Sequence, residues 1–590
     1  MTAPAGTTLS GRPAAALTFA VNYALAPVES RDAFQLPSSA SAVQVERFLH
    51  NVWGYHATNL LIHLGAALAL FAVIRRTLQT FPPGRGVRER ASMLALSCAV
   101  LWAVHPLTTS AVTYLVQRVE SLMALCVLLT LYCSIRAWSG SQWWIAAAVL
   151  ACAAGMASKE SMVAAPLLVV IWDVVFSSVQ SWRELLHRRR LLYVGLAATW
   201  ILLAVLVSGG HRPDAAGFGF AQWPWWRYLM TQSGVITHYL GLVVWPSPLV
   251  LDYDWRPSTV LSSLLPSLFI SLLLLAGAVA LYRRRPLGFA IAAFFLLLAP
   301  TSSVLPIVTE VAAEHRMYLP LALAIAVLVI GAFTCLQNRR VPPAVGMVAV
   351  LVIAIAFGAV TSARNGDYHS AEGLWRDTVN KRPENARARH NYATILLANG
   401  RIADAEQQLR EAIRLRSDYA EAHAALGAAL CAQQRFAEGL EHLKTALTIA
   451  PHFAGAHQAL GEAYAAQGQM RPAIAAYERA LALRPDDVMV MNRIGWILAT
   501  EGDDSIRDGP RALELGLRAT TGTRELDATS LDTLAAAQAE MGQWQSAANS
   551  IALALARARA ADEREYVPEL EERQRLYRQS QPARSNVHKP

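Results

Sequence analysis

The second half of the chain repeats a pattern every 34 residues, and this period restricts the possible fold more than any other feature of the sequence. Repeats begin at 385, 419, 453 and 487, with small residues at the ninth and twenty-first positions, glycine in three repeats at the sixteenth, and proline in two at the thirty-third. These residues are Ala393, Gly427, Gly461 and Gly495; Ala405, Gly439 and Ala473; Gly400, Gly468 and Gly502; and Pro451 and Pro485. Small residues let two helices cross closely, and a glycine ends the first helix of a pair. The sequence therefore predicts a stack of helix pairs.

This pattern resembles the tetratricopeptide repeat, and the resemblance extends over residues 366–560. A half-repeat precedes the first full one, with Ala371 and Pro383 in register, and a last repeat follows an insertion. Such repeats form a solenoid whose concave groove binds peptides or proteins, so a protein partner is expected. Conspicuous side chains such as Trp496 are interpreted as helix-packing residues. Residues 561–590 are interpreted as a charged, partly disordered tail.

The composition of the first half of the chain indicates a membrane environment, unlike that of the repeats. Residues 1–365 carry 25 Lys and Arg against 13 Asp and Glu, whereas residues 366–590 carry 27 against 30. The whole chain is 54% hydrophobic and 16% charged, and soluble proteins average about 25% charged residues. The basic excess lies in the apolar half, so it indicates membrane topology and not a nucleic-acid partner. Six cysteines, five of them in apolar runs, argue against a disulfide scaffold.

Apolar runs predict a polytopic transmembrane domain over residues 57–361, with about ten spans that contact membrane lipid. The candidate spans are 57–75, 91–105, 120–137, 142–157, 162–178, 191–208, 259–282, 287–300, 317–336 and 343–361. Basic residues in short loops mark the cytoplasmic side. There are four basic loops, at 75–90, 183–190, 283–285 and 339–340. All four can lie on the cytoplasmic side only if residues 228–246 do not cross the membrane and instead form a re-entrant or interfacial helix. A misassigned span elsewhere would serve equally well.

This topology places residues 1–56 and the repeats outside the cytoplasm. The short loops favour a bacterium, where this side is the periplasmic face of the inner membrane. The first 56 residues show no secretory signal that would translocate them. A further span upstream of the printed sequence is the favoured explanation, and post-translational transfer of a short tail is the alternative.

Four groups of ionisable residues fall at or just outside the ends of predicted spans. Burying a charge at membrane depth is energetically unfavourable, so such residues often have a function. All four lie on the outer face in this topology. In chain order they are His105 with Arg118 and Glu120; Lys159 with Glu160; Asp252 with Asp254 and Arg256; and Glu314, His315 and Arg316 with Tyr318. A solvated hairpin or an interfacial charge is the alternative for each group.

Several segments of the first half occur in a characteristic order before the repeats. They are Gly11-Arg12-Pro13; Asn22-Tyr23; Tyr55-His56-Ala57-Thr58-Asn59 with His63; Leu101-Trp102-Ala103-Val104-His105-Pro106 with Gln117-Arg118; Ser158-Lys159-Glu160-Ser161; Leu251-Asp252-Tyr253; and Glu314-His315-Arg316-Met317-Tyr318-Leu319-Pro320. In this order the chain resembles the transmembrane and tetratricopeptide-repeat-containing O-mannosyltransferase family and its bacterial relatives, over roughly residues 11–560.

The resemblance implies an all-α protein, with a membrane domain of the type C glycosyltransferase fold before the solenoid. It implies transfer of a sugar from a polyprenyl-phosphate donor to a Ser or Thr hydroxyl of a protein on the outer face, by inverting displacement at the anomeric carbon. A carboxylate would accept the hydroxyl proton, and Arg118, Lys159 and Arg316 would hold the donor phosphate. The expected supporting residues are His105, Glu160, Asp252, Glu314, His315 and Tyr318.

One part of the family pattern is absent from the printed sequence. Family members carry a first span and an acidic loop before the Arg-Pro segment, and no Asp or Glu precedes Glu29 here. Glu29 and Asp32 lie on the outer face but match no family motif; these two residues and Glu120 are the candidate bases, and no metal site is expected. Either the printed start omits a catalytic stretch or the chain is inactive.

Two functions stay open from the sequence. The first is the transferase, whose repeats would present the acceptor. The second is a non-catalytic membrane scaffold for envelope or polysaccharide-export assembly. A transporter is disfavoured because charges at mid-span are scarce, with Asp173 the main one.

Overall fold

The computed structural model describes residues 12–25, 53–83, 86–208, 223–303, 306–308, 310–522, 527–561 and 563–584. Every regular element in these ranges is a helix, which confirms the all-α fold class. The chain divides into two compact units, residues 1–383 and 384–590. The helix of the half-repeat that contains Ala371 belongs to the first unit.

The described part of the first unit contains fourteen α-helices and five short 3₁₀ turns. The helices are α1 Pro13–Leu25, α2 Trp53–Gln79, α3 Ala91–Ala103, α4 Thr109–Thr113, α5 Arg118–Arg136, α6 Trp143–Met156, α7 Ala165–Phe176, α8 Trp182–Ser208, α9 Trp225–Val244, α10 Val260–Tyr282, α11 Pro286–Leu298, α12 Pro320–Asn338, α13 Pro343–Asp367 and α14 Ala371–Lys381. The 3₁₀ turns are Pro106–Thr108, Leu115–Gln117, Ala137–Ser139, Glu160–Ala164 and Glu314–Met317.

Among the described residues, six helices are long and apolar enough to cross a membrane. They are Trp53–Gln79, Leu115–Arg136, Trp182–Ser208, Val260–Tyr282, Pro320–Asn338 and Pro343–Asp367. A seventh span is formed if α3 and the segment Pro106–Thr113, bent by 57°, count as one. The spans predicted at 142–157, 162–178 and 287–300 are helices of 14, 12 and 13 residues. These are shorter than the roughly 20 residues that a bilayer core needs, so the number ten stays a prediction, as does the placement of α9.

Asp173, the charge that the sequence places at mid-span, forms a buried ion pair with Arg189. Asp173 is fully buried and accepts hydrogen bonds from Arg189 at 3.0 Å, Tyr193 at 2.8 Å and Trp138 at 2.6 Å. A buried ion pair is tolerated when further hydrogen bonds occupy its remaining atoms. This arrangement joins α7 to α8 and needs no transported ion to explain it.

Where the structure describes the second unit, it consists of alternating first and second helices of five repeats, followed by one more helix. The first helices are α15 Ala386–Ala398, α17 Ala420–Ala432, α19 Ala454–Ala466, α21 Val488–Thr500 and α23 Ala528–Glu540. The second helices are α16 Ile402–Leu415, α18 Phe436–Ile449, α20 Met470–Leu483, α22 Gly509–Gly522 and α24 Trp544–Ala560, and the last is α25 Val567–Arg578. The first four first helices start 34 residues apart, as the sequence period predicts.

Glycine serves two purposes in these repeats. Gly400 and Gly468 adopt φ of +74° and +73° directly after a first helix, the left-handed conformation that ends helices and favours glycine. At Gly461 a Cβ atom would lie 2.6 Å from the ring of Tyr477. The missing side chain at this position therefore lets α19 and α20 approach closely.

Candidate functional site

The polar residues singled out by the sequence gather where several helices of the first unit begin or end. The starts of α2, α5 and α12 and the ends of α3 and α6 meet there, because hydrogen bonds join Asn59 to Val112, Trp102 to Tyr318 and Lys159 to Glu120. Basic residues lie at the other ends of the same helices: Arg76 in the last turn of α2, Arg136 in that of α5, and Arg339 and Arg340 after α12. We call the first region the polar end and define it as Arg12, Arg118, Glu120, Lys159, Glu160, Glu310 and residues 314–318.

Arg118 holds three helices together. Its guanidinium donates to Asn59 Oδ1 at 2.5 Å, to Asn22 Oδ1 at 2.6 Å and to the carbonyl of Tyr55 at 2.9 Å. It also lies 4.2 Å from the ring centre of Phe19, a cation–π distance. With the side chain fully buried, these contacts give Arg118 a structural role that links α1, α2 and α5.

Lys159 forms a buried ion pair with Glu120, joining the turn after α6 to the first turn of α5. The two side chains are only 10% and 6% exposed. An ammonium group has three N–H donors, and the contacts of the described residues assign one of them, to Glu120. Lys159 therefore keeps donor capacity that a bound anion could use.

Arg12 and Glu160 form a second ion pair next to the first. The guanidinium donates to both carboxylate oxygens, Nε to Oε1 at 3.2 Å and Nη2 to Oε2 at 3.0 Å. Their side chains are 19% and 25% exposed, so this pair is more accessible than the neighbouring one. Adjacent residues of the 158–161 segment thus bind partners from two different segments, Glu120 at the start of α5 and Arg12 just before α1.

The turn Glu314–Met317 connects three parts of this region through three consecutive side chains. Glu314 accepts from the backbone N–H of Val250 at 2.6 Å and from the hydroxyl of Tyr253 at 3.1 Å. Arg316 donates to the carbonyls of Thr301 at 3.0 Å and Val311 at 3.1 Å, and also to that of Glu310. Both side chains are buried and fix the surrounding loops.

His315 lies between these two residues and faces the polar end. Burial lowers its pKa well below the usual value, and the positive charges of Lys159 and Arg316 lower it further. The imidazole is therefore neutral at neutral pH. Its Nε2 atom lies 3.8 Å from Oε2 of Glu310, a carboxylate whose side chain is 53% exposed.

Tyr318 ties the start of α12 to α2 and α3. Its hydroxyl lies 2.7 Å from Nδ1 of His63, and its carbonyl accepts from the indole of Trp102 at 2.7 Å. His105 acts in the bend between α3 and α4: its Nδ1 accepts from the N–H of Leu107 at 3.2 Å, so its Nε2 donates to the carbonyl of Val243 at 3.1 Å. These residues position the helices that carry the polar end.

Burial raises the pKa of Glu314 above its ordinary value, although the charge of Arg364 opposes this effect. One of its oxygens, Oε2, has no hydrogen-bond partner within the described part of the chain. Asp252 is nearly buried in the adjacent loop, where its Oδ1 accepts from the N–H of Asp254 at 3.0 Å. The 249–254 loop is thus a fixed wall beside the turn.

The predicted site residues are therefore arranged in one region, but not in the pairs that their sequence neighbours suggest. Glu120 binds Lys159 and not Arg118, Glu160 binds Arg12, and Glu314 binds the 250–253 loop and not Arg316. Neighbours in a helical turn point to different sides, which explains the exchange of partners. Glu29 and Asp32 lie outside the described residues.

Two residues of the polar end were not assigned a role from the sequence. Arg12 belongs to the Gly-Arg-Pro segment of the family resemblance, so the sequence did mark its position. Glu310 is one of two carboxylates in the otherwise uncharged stretch 300–315. Its isolation in this stretch could have identified it as a candidate site residue from the sequence. Groups of three or more His, Cys, Asp or Glu side chains arranged to hold a metal ion do not occur among the residues that the structure describes.

Comparisons with known proteins agree with the two halves of the sequence reading. A tetratricopeptide repeat family model matches residues 363–430 and 430–490. The human protein O-mannosyl-transferase TMTC4 is 26% identical over 449 residues, which cover 66% of this chain and 56% of that protein. Protein O-mannosyl-transferase Tmtc2 of Drosophila melanogaster is 30% identical over 214 residues, which cover 34% of this chain and 21% of that protein. The chain thus spans about half the length, or less, of these curated relatives.

Solved structures are similar to part of the chain. One is YrrB, described as a TPR protein with an unusual peptide-binding site, which is 18% identical with a TM-score of 0.26 and covers 31% of this chain and 92% of its own. Another is MamA, which is 21% identical with a TM-score of 0.23 and covers 28% of this chain and 92% of its own.

Proposed function

Because the chain resembles the protein O-mannosyl-transferases and carries tetratricopeptide repeats, we propose that it is a membrane glycosyltransferase. It transfers a sugar from a polyprenyl-phosphate donor to a Ser or Thr hydroxyl of a protein, and mannose is the sugar that the relatives' names suggest. The repeats bind the acceptor or a partner protein. The observation that carries the proposal is the polar end, where two ion pairs and a carboxylate–imidazole contact stand in an apolar helical unit.

The reaction takes place on the extracytoplasmic face. Short basic loops stay in the cytoplasm, and the basic residues Arg76, Arg136, Arg339 and Arg340 lie at the helix ends opposite the polar end. A lipid-linked donor fits this position, because its phosphate would sit at the boundary and its chain among apolar helices.

Lys159 is the first choice among the three predicted phosphate ligands. Arg118 and Arg316 direct their guanidinium groups to side-chain and backbone oxygens of the protein, whereas Lys159 keeps N–H donors beyond its bond to Glu120. Arg12 is the second choice, since its guanidinium is partly exposed. Together they would stabilise the charge that develops on the departing phosphate.

Glu310 is the proposed general base. It is more exposed than Glu120, whose carboxylate is buried against Lys159. In the transfer step Glu310 takes the proton of the acceptor hydroxyl, and the hydroxyl oxygen forms the bond to the anomeric carbon. The bond from that carbon to the phosphate oxygen breaks, and its electron pair leaves with the polyprenyl phosphate. Neutral His315 next to Glu310 would orient the carboxylate.

A non-catalytic scaffold is the second candidate function. The observation in its favour is that Arg118 and Arg316 are both buried and bonded within the protein. In that case the polar end only fixes the helices, and the repeats carry the function.

A transfer assay with the purified full chain separates the two functions. The donor is polyprenyl-phosphate mannose, and the acceptor is a mixture of Ser- and Thr-containing peptides. Glu310→Gln should lower kcat by about 10²–10⁴-fold, the usual contribution of a general base. Glu184→Gln is the matched control, because Glu184 is an exposed glutamate of the same unit, paired with Arg188 on α8.

The Lys159 role needs a variant that leaves no unpaired buried charge. The double variant Glu120→Gln with Lys159→Gln removes both charges together and should raise the KM for the donor. Failure of folded wild-type protein to transfer or bind any polyprenyl-phosphate sugar would reject the transferase in favour of the scaffold.

A further inference from the structure

The C-terminal segment of the chain packs on the last repeats instead of extending away from them. This segment comprises Tyr566, α25 and the residues up to Arg584. Its side chains Leu570, Tyr577 and Ala583 are buried in one apolar cluster with residues of α23 and α24.

The helix of this segment packs mainly on α24, a second helix, and its side chains reach two first helices. In three of the four neighbouring pairs of repeats, the first helices contact each other more extensively than the second helices do, as expected of the inner row of a solenoid. Arg573 bonds to Asp532 on α23 and stacks 4.6 Å from the ring centre of Trp496 on α21. Arg584 reaches the carbonyl of Ala499 at 3.2 Å. One segment therefore spans two successive first helices, as a ligand in the groove would.

The covered surface carries acceptors and an aromatic ring. Asp532 is 1% exposed, and its Oδ2 accepts from Arg573 and, at 2.6 Å, from the hydroxyl of Tyr566. Its Oδ1 has no partner among the described residues. Glu540 accepts from Arg584 and, at 2.9 Å, from Arg507. We call Trp496, Asp532 and Glu540 the acceptor surface.

We propose that the acceptor surface is a docking site for an arginine-bearing amphipathic helix of a partner protein, and that the C-terminal segment is its intramolecular occupant. The segment supplies the recognition chemistry: an arginine that stacks on Trp496 and pairs with Asp532, apolar side chains on one face, and a second arginine for Glu540. This inference rests on the proposed protein-binding role of the repeats and not on sugar transfer.

A partner can displace the segment because the segment leaves part of the surface unused. Its arginine binds one oxygen of Asp532, whereas an arginine in bidentate geometry binds both and forms a stronger contact. The segment holds its place through the high effective concentration that tethering provides. Weakening its two arginine contacts should therefore open the surface to a ligand added in solution.

The test uses the full chain in detergent and a fluorescent synthetic peptide with the sequence of residues 564–584. The opened variant is Arg573→Ala with Arg584→Ala. Arg575→Ala is the matched control, because this arginine lies on the same helix with its side chain 68% exposed. The opened variant should bind the peptide at least about tenfold more tightly than wild type or the control. Adding Asp532→Asn to the opened variant should remove that gain.

Hydrogen exchange of α21 and α23 distinguishes a displaceable ligand from a structural cap. The proposal predicts that both helices keep their protection in the opened variant and that added peptide restores protection only around Trp496 and Asp532. Equal peptide binding by the opened variant and wild type would overturn it, as would loss of protection throughout the last two repeats. Sugar transfer is not part of this readout, so failure of the transferase function would leave the result intact.

Discussion

The two units use charged side chains in different ways. In the first unit charges are scarce and several pair in the interior, as Lys159 does with Glu120 and Arg189 with Asp173. In the repeats charges are abundant and share partners at the surface: Glu406 accepts from both Arg410 and Arg435. Removing one partner of a buried pair leaves an unpaired charge at a cost of about 3–5 kcal/mol, whereas exposed pairs contribute about 0–1 kcal/mol. The same type of contact should therefore fix structure in one unit and be replaceable in the other.

The largest effect is expected for Lys159→Met. It leaves Glu120 buried without its partner, so the free energy of unfolding should fall by about 3–5 kcal/mol. Thermal unfolding of the detergent-solubilised chain measures the change, and Arg188→Ala, which breaks the exposed pair with Glu184, should change it by less than about 1 kcal/mol. The double variant Lys159→Met with Glu120→Gln should recover much of the loss. Equal effects of the buried and exposed substitutions would refute the contrast between the units.

A packing change in the repeats should cost almost as much, since close helix crossings there do not depend on charge. Gly461→Leu forces a side chain into the ring of Tyr477 and should destabilise the repeats by roughly 1–3 kcal/mol or more. Faster hydrogen exchange across α19 and α20 would report it. Gly502→Ala is the control, because a Cβ atom there meets nothing within 4 Å. Unchanged exchange in the leucine variant would mean that the repeat register is wrong.

Asp532 is more deeply buried than the other carboxylates described in the repeats, at 1% exposure against 5% for Glu501. Burial raises the pKa of Asp532 to about 6, although Arg573 and Tyr566 oppose the shift. Because the folded state holds the proton more tightly than the unfolded state, the stabilisation is complete below about pH 4 and is lost as the pH rises through 6. Wild type should lose about 1–3 kcal/mol between pH 4 and 7 relative to Asp532→Asn. Parallel stability–pH curves for the two proteins would contradict this assignment.

The smallest effect is expected for Glu406→Ala. Burial alone would raise the pKa of this carboxyl, but hydrogen bonds from Gln433, Arg435 and Arg410 outweigh it and lower the pKa to about 2. Since the network lies at the surface, its removal should cost less than about 1 kcal/mol, and high salt should reduce the difference further. Unfolding measurements in low and high salt test this prediction. If the variant loses more than about 2 kcal/mol of unfolding free energy at both salt concentrations, the network behaves like a buried ion pair, which would contradict the prediction.

The repeats could be predicted from the sequence in detail, because each helix pair contacts mainly its neighbours and a fixed period therefore reports local geometry. Gly400 and Gly468 end first helices, and Gly461 lies at a close crossing, as their positions in the period indicate. One helix of the repeats was not predicted, because it lies in the segment 503–527 that the sequence pattern marks as an insertion. This helix is α22, the second helix of the fourth repeat, which starts at Gly509.

The polar end could be predicted as a region but not as a set of contacts. Charged residues are rare in apolar sequence, and this rarity is why Arg118, Lys159 and Arg316 could be identified as candidate site residues. Their partners come from distant segments, such as Asn22 for Arg118 and Glu120 for Lys159, and no local pattern encodes such pairs. Whether these cations bind phosphate stays a prediction.

The most direct measurement of the central claim is binding of polyprenyl-phosphate mannose to the purified full chain. Wild type and Arg188→Ala should bind alike, because Arg188 lies on α8 in an exposed ion pair with Glu184. The double variant Glu120→Gln with Lys159→Gln should bind about ten- to a hundredfold more weakly, the usual cost of a lost charge-assisted phosphate contact. Equal binding by wild type and a correctly folded double variant would contradict the claim that the polar end holds the donor phosphate.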